Sequence, residues 1–391
     1  MRSEADHNTL SRTLSPPSGR LTQPRHTGSL LDAYKCRRAQ LGRWWTRLTN
    51  WETWDWRIKY ILIAPAWLGY CLRAKSFWFF TASNPTLTFG GFDGESKKEM
   101  YEQLPPGSYP KSIFISPLAP IDAVREQIRV HGFAFPFAVK PDRGKMGFMF
   151  RKISTLAELE PYHNKIQCDY IIQEWIDHPL EVSVFYYRLP HAQTGNITGF
   201  VRKDFLEVTG DGQSTLHELI ISYPRAQFRI DEMKRKHAHK LNHVLSPGEK
   251  YCLSPALNLS RGGKLVSLAH EKDESLLRVF DELSLYSGEF YYGRYDIKCA
   301  SVDDLKKGRN FSILEFNGSG AEPHHVYGNG YSLRAACCEL VTHWGQLYKI
   351  SAENHKAGIP YWQFSQGWKF LFSADRHRRK LQDLDIDYPM G

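Results

Sequence analysis

The residue types best suited to chemistry lie in two short stretches, residues 293–296 (GRYD) and 314–317 (LEFN). Each stretch has the pattern of a β-strand end, where Glu315 and Asn317, two residues apart, would point to the same face. Asp296 would join them from a neighbouring strand. Two carboxylates and an amide oxygen at one point are ligands that Mg²⁺ prefers, together with water and phosphate oxygens. The pattern therefore predicts a site for a metal–nucleotide complex.

A lysine followed by a flexible basic loop comes earlier in the chain. Lys140 ends the apolar segment FAFPFAVK, and the loop after it contains Arg143, Gly144, Lys145 and Gly147. The backbone N–H groups of such a loop can form a concave anion site, and the ammonium groups add charge. The loop predicts phosphate binding, although the patterns GxxxxGK(S/T) and GxGxxG are both absent. A solvated lysine at a strand end is the alternative interpretation.

A short connection separates two further predicted strands, DYIIQEWI and EVSVFYYRL. It consists of Gln173, Glu174, Trp175 and Ile176, and Glu181 follows five residues later. The backbone of such a hinge can offer hydrogen bonds to an adenine edge, and a carboxylate can accept from ribose hydroxyls. An ordinary β-connection with a surface glutamate is the alternative for this stretch taken alone.

The residues around these motifs predict an α/β or α+β body, because helical and strand patterns alternate from about residue 118 onward. The segment IDAVREQIRV has helical spacing, and residues 197–208 have the pattern of one continuous strand. A helix is expected to start near Ser214 with that hydroxyl as its N-cap. The segment VDDLKKGRN is expected to be a hairpin connection, and residues 332–350 are expected to form an amphipathic helix.

Composition limits the possible functions. The chain has 391 residues, which suits two or three domains, and a net charge of +9. Residues 1–80 contain thirteen Lys or Arg against five Asp or Glu, so almost all of the excess charge is N-terminal. This distribution argues against nucleic-acid binding by the whole protein. Seven cysteines without a CxxC pair suit a reducing cytoplasm, and residues 1–30 lack the apolar region of a secretory signal.

The N-terminal segment is unusual in its tryptophans. Seven of the eleven lie between residues 31 and 80, around the uncharged stretch YILIAPAWLGYCL. Its thirteen residues would span only about 20 Å as a helix, which is too short to cross a bilayer, and Pro65 is expected to interrupt it. The segment is either an interfacial membrane anchor or a helical pair that packs on the catalytic body, and the second interpretation is slightly favoured.

The order of the motifs resembles that of the ATP-grasp superfamily over residues 95–350. The closest branch is the D-alanine–D-alanine ligase-like and cyanophycin-synthetase-like one, on the segments FAVKPDRGKMG, VTGDGQSTLHELI, NLSRGG, GRYD and LEFNGSG. The resemblance implies two α+β subdomains that clamp ATP, at residues 95–180 and 181–350. They would follow a disordered tail (1–30) and a Trp-rich basic segment (31–94), and precede a C-terminal extension (351–391).

The resemblance also implies a role for each matching residue. Lys97 and Lys140 would contact ATP phosphates, and residues 143–148, with Arg143, Gly144, Lys145 and Gly147, would close over them. Residues Gln173, Glu174, Trp175 and Ile176 would line the adenine, and Glu181 would hold the ribose.

At the other end of the nucleotide, Asp296, Glu315 and Asn317 would bind one or two Mg²⁺ ions, with Mn²⁺ as an alternative. Arg294 would face the transferred phosphate or the substrate carboxylate, and Lys203, or its neighbour Arg202, would lie on the γ-phosphate side.

The activity implied is an ATP- and Mg²⁺-dependent carboxylate–amine ligase that acts through an acylphosphate. The alternatives are a small-molecule kinase on the same fold and a non-catalytic, membrane-peripheral ATP-binding protein. The first eighty residues depart from the family pattern, so the resemblance names neither the carboxylate nor the amine. We expect a cytoplasmic protein without a nucleic-acid partner, with peripheral contact to anionic membrane through residues 31–80; the oligomeric state stays open.

Overall fold

The computed structural model describes residues 49–223, 230–254 and 263–386. The chain divides into two compact units, residues 1–50 and 51–391, and nearly all described residues belong to the second. The predicted tail 1–30, Trp44 and Trp45 lie outside the described residues, as do most residues of the NLSRGG segment.

Helices and strands alternate along the second unit, which confirms the α+β class. The helices are α1 (Trp56–Ala74), α2 (Lys97–Tyr101), α3 (Ile121–Val130), α4 (Leu156–Lys165), α5 (Leu216–Ser222), α6 (Ile230–Lys236), α7 (Glu274–Ser287), α8 (Val302–Lys306), α9 (Leu333–Lys356) and α10 (Phe364–Ile386). The strands are β1 (Ser112–Ile115), β2 (Phe137–Pro141), β3 (Arg151–Ile153), β4 (Tyr170–Glu174), β5 (Leu180–Tyr187), β6 (Asn196–Asp204), β7 (Leu206–Thr209), β8 (Lys250–Ser254), β9 (Lys264–Ser267), β10 (Tyr292–Cys299) and β11 (Phe311–Asn317).

The first sheet has four antiparallel strands in the order β1-β4-β2-β3. Two helices cover it. The segment IDAVREQIRV forms α3 as predicted, and its buried Val124 and Ile128, one turn apart, face the sheet's hydrophobic cluster. Helix α4 adds Leu159 and Tyr162 to the same cluster. The sheet is therefore held by its own core.

The second sheet has five antiparallel strands in the order β11-β10-β5-β6-β9. Successive side chains alternate between its faces. On one face Val182 and Val184 of β5 lie with Tyr295 and Ile297 of β10, and all four are buried in one cluster with the apolar stripe of α7. The opposite face carries the polar residues of the candidate site.

The structure corrects the predicted strand over residues 197–208. Strand β6 ends at Asp204, and β7 begins at Leu206, with an exposed Phe205 between them. Strand β6 belongs to the second sheet, whereas β7 pairs with β8 in a separate two-stranded sheet. Strand β6 buries Phe200 in the core of the second sheet, whereas β7 buries Leu206 and Val208 in a different cluster.

A predicted helix start and a predicted chain connection also differ from the structure. Helix α5 is capped by Thr215, not Ser214, because the Ser214 hydroxyl donates to Asp211, while Thr215 and Glu218 form a reciprocal capping box. The segment VDDLKKGRN is not a plain hairpin connection, since it contains α8, which Ser301 caps by accepting from the Asp304 N–H.

Further local predictions need smaller corrections. The predicted helix 332–350 continues to Lys356, and α1 runs through Pro65 without interruption. Asp296 lies in the middle of β10, not at its end.

Helix α1 packs one face on α9 through aromatic pairs, of which Tyr60 with Trp344 and Tyr70 with Tyr348 are stacked. The packing interpretation therefore holds for this face of α1. In the described part of the chain, no helix is long and apolar enough to cross a bilayer.

Helix α10, which the sequence did not predict, contacts elements far apart in the chain. Gly367 lies against the indole of Trp78, where an added Cβ would be 2.4 Å from the ring. At its other end Leu381 joins the core of the first sheet. Asp385 pairs with Arg151 at 2.9 Å and accepts a hydrogen bond from the Met149 N–H. The helix thus fixes the segment that follows the predicted phosphate loop.

Candidate functional site

The predicted residues of the second sheet share its polar face. Strand register places Asp296 opposite both Glu315 and Ser183, Arg294 opposite Asn317, and Glu181 opposite Lys203. Residues paired across strands point to the same face, as do residues two apart along one strand. The residues that converge in this way are Glu181, Ser183, Lys203, Arg294, Asp296, Glu315 and Asn317.

Asp296 is the buried centre of this face. It accepts hydrogen bonds from the Ser183 hydroxyl, from the Arg294 guanidinium at 3.1 and 3.2 Å, and from the Asn317 amide at 3.3 Å. The ammonium of Lys203 lies 3.1 Å away. Burial alone would raise the pKa of Asp296, but the charges of Arg294 and Lys203 outweigh burial and hold this pKa well below its usual range. Asp296 is therefore a carboxylate at any physiological pH.

Lys203 connects two of the predicted carboxylates. Its side chain is almost fully buried, and its ammonium lies 3.1 Å from both Glu181 and Asp296. Burial would lower the pKa of Lys203, but the two carboxylates, Asp296 first, raise it overall. The lysine therefore keeps its charge and holds Glu181 and Asp296 in a fixed geometry.

A cleft of about 320 Å³ adjoins the end of this face that carries Glu315 and Asn317. Six predicted residues line it: Lys97, Arg143, Gly144, Lys145, Glu315 and Asn317. The ammonium of Lys97 donates to the Gly144 carbonyl at 2.9 Å and lies 3.9 Å from Glu315. Basic and acidic groups thus face each other across a space of the size that small ligands occupy.

Lys140 lies beside this cleft and donates to the Leu314 carbonyl at 3.2 Å. Burial, and then the charge of Lys97, lower the pKa of Lys140 to about 7. In the following loop, Arg143 pairs with Glu99 and Lys145 with Asp93, at 3.3 and 2.7 Å. The predicted phosphate-binding cations thus have protein acceptors that an anionic ligand would replace.

Gly147 has a φ of +70°, a left-handed backbone conformation that glycine adopts without strain. It lies in the turn at the end of this loop and is not a lining residue of the cleft.

The predicted hinge is more distant from the cleft. The Gln173 side chain is buried and donates to the Tyr101 hydroxyl and to Ser112, so it faces the protein interior. Trp175 lies under the ammonium of Lys152 at 4.6 Å. The Ile176 carbonyl accepts from Lys298 at 3.1 Å, which ties the hinge to the second sheet next to Glu181. Glu174 is exposed at the end of β4.

Several residues of the cleft were not predicted. Helix α10 contributes Phe370, Ser373, Ala374, His377 and Arg378 to its wall. The His377 ring is 2.8 Å from the Arg143 carbonyl, so α10 contacts the phosphate loop directly. The basic run DRHRRK at 375–380 was the only signal, and basic runs are usually solvated helix faces.

Glu95 also lines the cleft, and burial raises its pKa to about 7. Nothing in the surrounding sequence marks this glutamate.

The oxygen donors fit a hard divalent cation. Glu315 and Asn317 border the cleft, and Asp296 pairs in register with Glu315 behind them. A carboxylate that is ionised throughout the physiological range, a second carboxylate and an amide oxygen form a set that suits Mg²⁺. These three residues would hold the ion, with phosphate oxygens and water completing its shell.

No protein-family model and no curated protein matches the chain. Among solved structures, the chain is similar to a bifunctional glutathione synthetase from Pasteurella multocida, at 13% identity and a TM-score of 0.41 over 64% of this chain and 36% of that one. It is similar to D-alanine–D-alanine ligase from Bacillus anthracis at 11% identity and a TM-score of 0.39, over 67% and 69% of the two chains. It is also similar to the VanG D-Ala:D-Ser ligase from Enterococcus faecalis at 14% identity and a TM-score of 0.37, over 66% and 62%.

The chain spans little more than a third of the length of the bifunctional synthetase. The α+β class follows from the helices and the strand order described above.

Proposed function

We propose that the protein is an ATP- and Mg²⁺-dependent ligase of the ATP-grasp type, which joins a carboxylate to an amine. The observation that carries this proposal is the convergence of Glu181, Lys203 and Asp296 on one sheet face, beside a cleft lined by Lys97 and the basic loop. Two antiparallel sheets contribute to the site, Lys140 from the first and the carboxylates from the second. This arrangement supplies positive charge for phosphates and oxygen ligands for a metal in one place.

In the proposed reaction, an oxygen of the substrate carboxylate attacks the γ-phosphorus of ATP and ADP leaves, which forms an acylphosphate. The amine nitrogen then attacks the acyl carbon, and inorganic phosphate leaves. When bound, Mg²⁺ would neutralise part of the negative charge on the phosphates. No nucleophilic side chain is required, so the protein's part is to position the reactants and to stabilise charge.

The side chains divide this work. Lys97 and Lys140 balance the charge of the phosphates, and Arg294, next to Asp296, faces the group that is transferred. Lys203 acts as a positioning residue, because Glu181 and Asp296 already engage its ammonium. Helix α10 closes the cleft and limits the access of water, which would otherwise hydrolyse an acylphosphate.

A substrate screen tests the proposal. Purified protein with Mg-ATP is supplied with amino acids and other small carboxylates and amines, singly and in pairs, while ADP release is recorded. Mass spectrometry then identifies the product. A joined product that forms with stoichiometric ADP and phosphate supports the ligase. A phosphorylated metabolite without free phosphate would instead identify a kinase, and absence of stimulated turnover with every pair would contradict both.

The lowered pKa of Lys140 predicts a pH dependence of nucleotide binding. In the free protein this pKa is about 7, whereas phosphate oxygens beside the ammonium favour the charged form and raise it. Binding then takes up a proton, so ATP affinity is highest below pH 7 and falls by up to about tenfold per pH unit above it. Calorimetry in buffers of different ionisation enthalpy measures this proton uptake.

The variant Lys140→Met is the control for that measurement, because it removes the titrating group. It should bind ATP more weakly and with a flatter pH profile. If Lys140→Met retains the slope of the wild type, another group is responsible.

We also propose that α1 binds the surface of an anionic membrane. Its face opposite α9 carries Ile58, Ile61, Leu62, Leu68 and Leu72, whose exposed fractions range from 49% to 79%. These residues recur with helical spacing and form a continuous apolar stripe. The helix contains no acidic residue and three basic ones, of which Arg57 and Arg73 are exposed and Lys59 is buried. An apolar stripe flanked by basic side chains suits a lipid surface rather than bulk water.

Loss of two leucines should weaken this membrane binding. The double variant Leu68→Ser/Leu72→Ser is expected to bind vesicles containing anionic lipid at least about tenfold more weakly, because each leucine loses about 1.5–3 kcal/mol of apolar burial. Co-sedimentation at low and high salt measures binding, which salt should also reduce. Leu118→Ser changes a still more exposed leucine, in the turn between β1 and α3, and should have no effect. A wild-type protein that ignores anionic vesicles at low salt would contradict the proposal.

A further inference from the structure

Three metal-ligating side chains meet where the turn after β11 packs on α9. They are His325 in the 3₁₀ turn His324–Val326, and Glu339 and His343 on α9. One ligand atom from each lies within 4.8 Å of the others. The proposed function assigns no role to this cluster.

Two distances within the cluster are close to those of a tetrahedral metal site. The Nε2 atoms of His325 and His343 lie 3.1 and 3.4 Å from the same Glu339 oxygen. With metal–ligand distances of about 2.0–2.1 Å, the ligand atoms of a tetrahedral zinc site are about 3.3–3.4 Å apart. Glu339 and His343 are one helical turn apart and therefore face the same side of α9.

His343 provides an independent indication of a missing ligand. Its side chain is 3% exposed, its Nδ1 atom has no hydrogen-bond partner in the described part of the chain, and its Nε2 atom has only the Glu339 oxygen, at a long 3.4 Å. The ring packs edge-on against Phe185 and close to Tyr292, so apolar groups lie around it. A buried imidazole with so little hydrogen bonding is costly, and a bound cation would satisfy its Nε2 atom.

The position of His325 is also constrained by the fold. Its Nδ1 atom lies so close to Gly199 of β6 that an added Cβ would be 2.3 Å away. Glycine at this point leaves room for the imidazole, which directs its other nitrogen towards Glu339. The cluster is thus held from both sides, by the sheet and by α9.

We propose that His325, Glu339 and His343 bind a zinc ion, with a water molecule as the fourth ligand. Two imidazoles and one carboxylate select zinc over Mg²⁺, which prefers oxygen ligands alone. The ion ties the turn after β11 to α9. Because Arg294 donates to the Glu322 carbonyl, two residues before that turn, at 3.0 Å, the zinc site would also steady the segment beside the proposed phosphoryl-transfer site.

Metal titration of the full-length protein, freed of any affinity tag, tests the proposal. We expect one tightly bound zinc per chain by elemental analysis after dialysis, and a tetrahedral visible spectrum when Co²⁺ replaces zinc. His343→Ala should lower zinc affinity by at least about 100-fold, because loss of a ligand exceeds the loss of an outer-shell partner. Glu339→Gln should have a similar effect while its amide still accepts from His325.

The control variant is His191→Ala. His191 pairs at 2.9 Å with Glu353 of α9, the helix that also carries Glu339 and His343. Among the described residues, no second imidazole completes a metal-type cluster with this pair. This variant should retain the zinc and the Co²⁺ spectrum. If His343→Ala does not fold, Glu339→Gln decides the matter. Wild-type protein that retains no zinc, or a foldable Glu339→Gln variant that binds zinc as the wild type does, would overturn the proposal.

Discussion

Asp296→Asn is expected to abolish measurable ATP turnover, a loss of at least about 100- to 1,000-fold in kcat. Asparagine has nearly the same shape as aspartate but carries no charge. The substitution therefore removes the negative charge that pairs with both Arg294 and Lys203, and it lowers the affinity of the site for a divalent cation. ADP release with the substrate pair found by screening measures the effect.

Asp304→Asn is the matched control for this prediction. Asp304 is a carboxylate of α8 that pairs with Arg309 at the surface. Its loss should leave turnover within about twofold of wild type, because surface pairs contribute little. If Asp296→Asn also retained turnover, the metal assignment at Asp296, Glu315 and Asn317 would have to be withdrawn.

Replacement of Lys203 is expected to reduce both the stability of the fold and nucleotide binding. Lys203→Met should lower the free energy of unfolding by about 3–5 kcal/mol, because it leaves two largely buried carboxylates, Glu181 and Asp296, without the cation between them. Nucleotide binding should fall with it, since both carboxylates lose their fixed geometry. Urea unfolding followed by circular dichroism gives the first quantity, and calorimetry gives the second.

A double variant separates the two contributions. Adding Glu181→Gln to Lys203→Met removes one of the unpaired charges and should recover part of the stability without restoring ATP binding. Lys250→Met, which breaks an exposed pair with Glu207, should change stability by less than about 1 kcal/mol. A Lys203→Met protein as stable as the wild type would show that the lysine does not balance these carboxylates.

Much of the site follows from local rules. A strand alternates its side chains, so Glu315 and Asn317, two residues apart on β11, had to share a face, and Arg294 and Asp296 likewise on β10. The spacing also indicated the strands β5 and β10 and the helix α3. These predictions needed no knowledge of distant residues.

Local rules failed in two situations. In one, two neighbouring residues could both cap the same helix; in the other, a continuous strand pattern covered two strands of different sheets. Ser214 was the expected helix cap, but Asp211 engages it and Thr215 takes its place. Residues 197–208 have the pattern of one strand, yet β6 and β7 belong to different sheets. A strand pattern predicts that a segment is extended, but it does not show which strand lies beside it.

The sequence by itself determined the order of the motifs, the α+β class and the residue types that gather at the site. Only the tertiary structure decided the rest. It placed α10 over the cleft, set Lys203 between Glu181 and Asp296, and brought His325 to Glu339 and His343. Each of these contacts joins separate elements whose approach depends on how whole sheets and helices pack. A pattern with a period of two or of 3.6 residues carries no information about such packing.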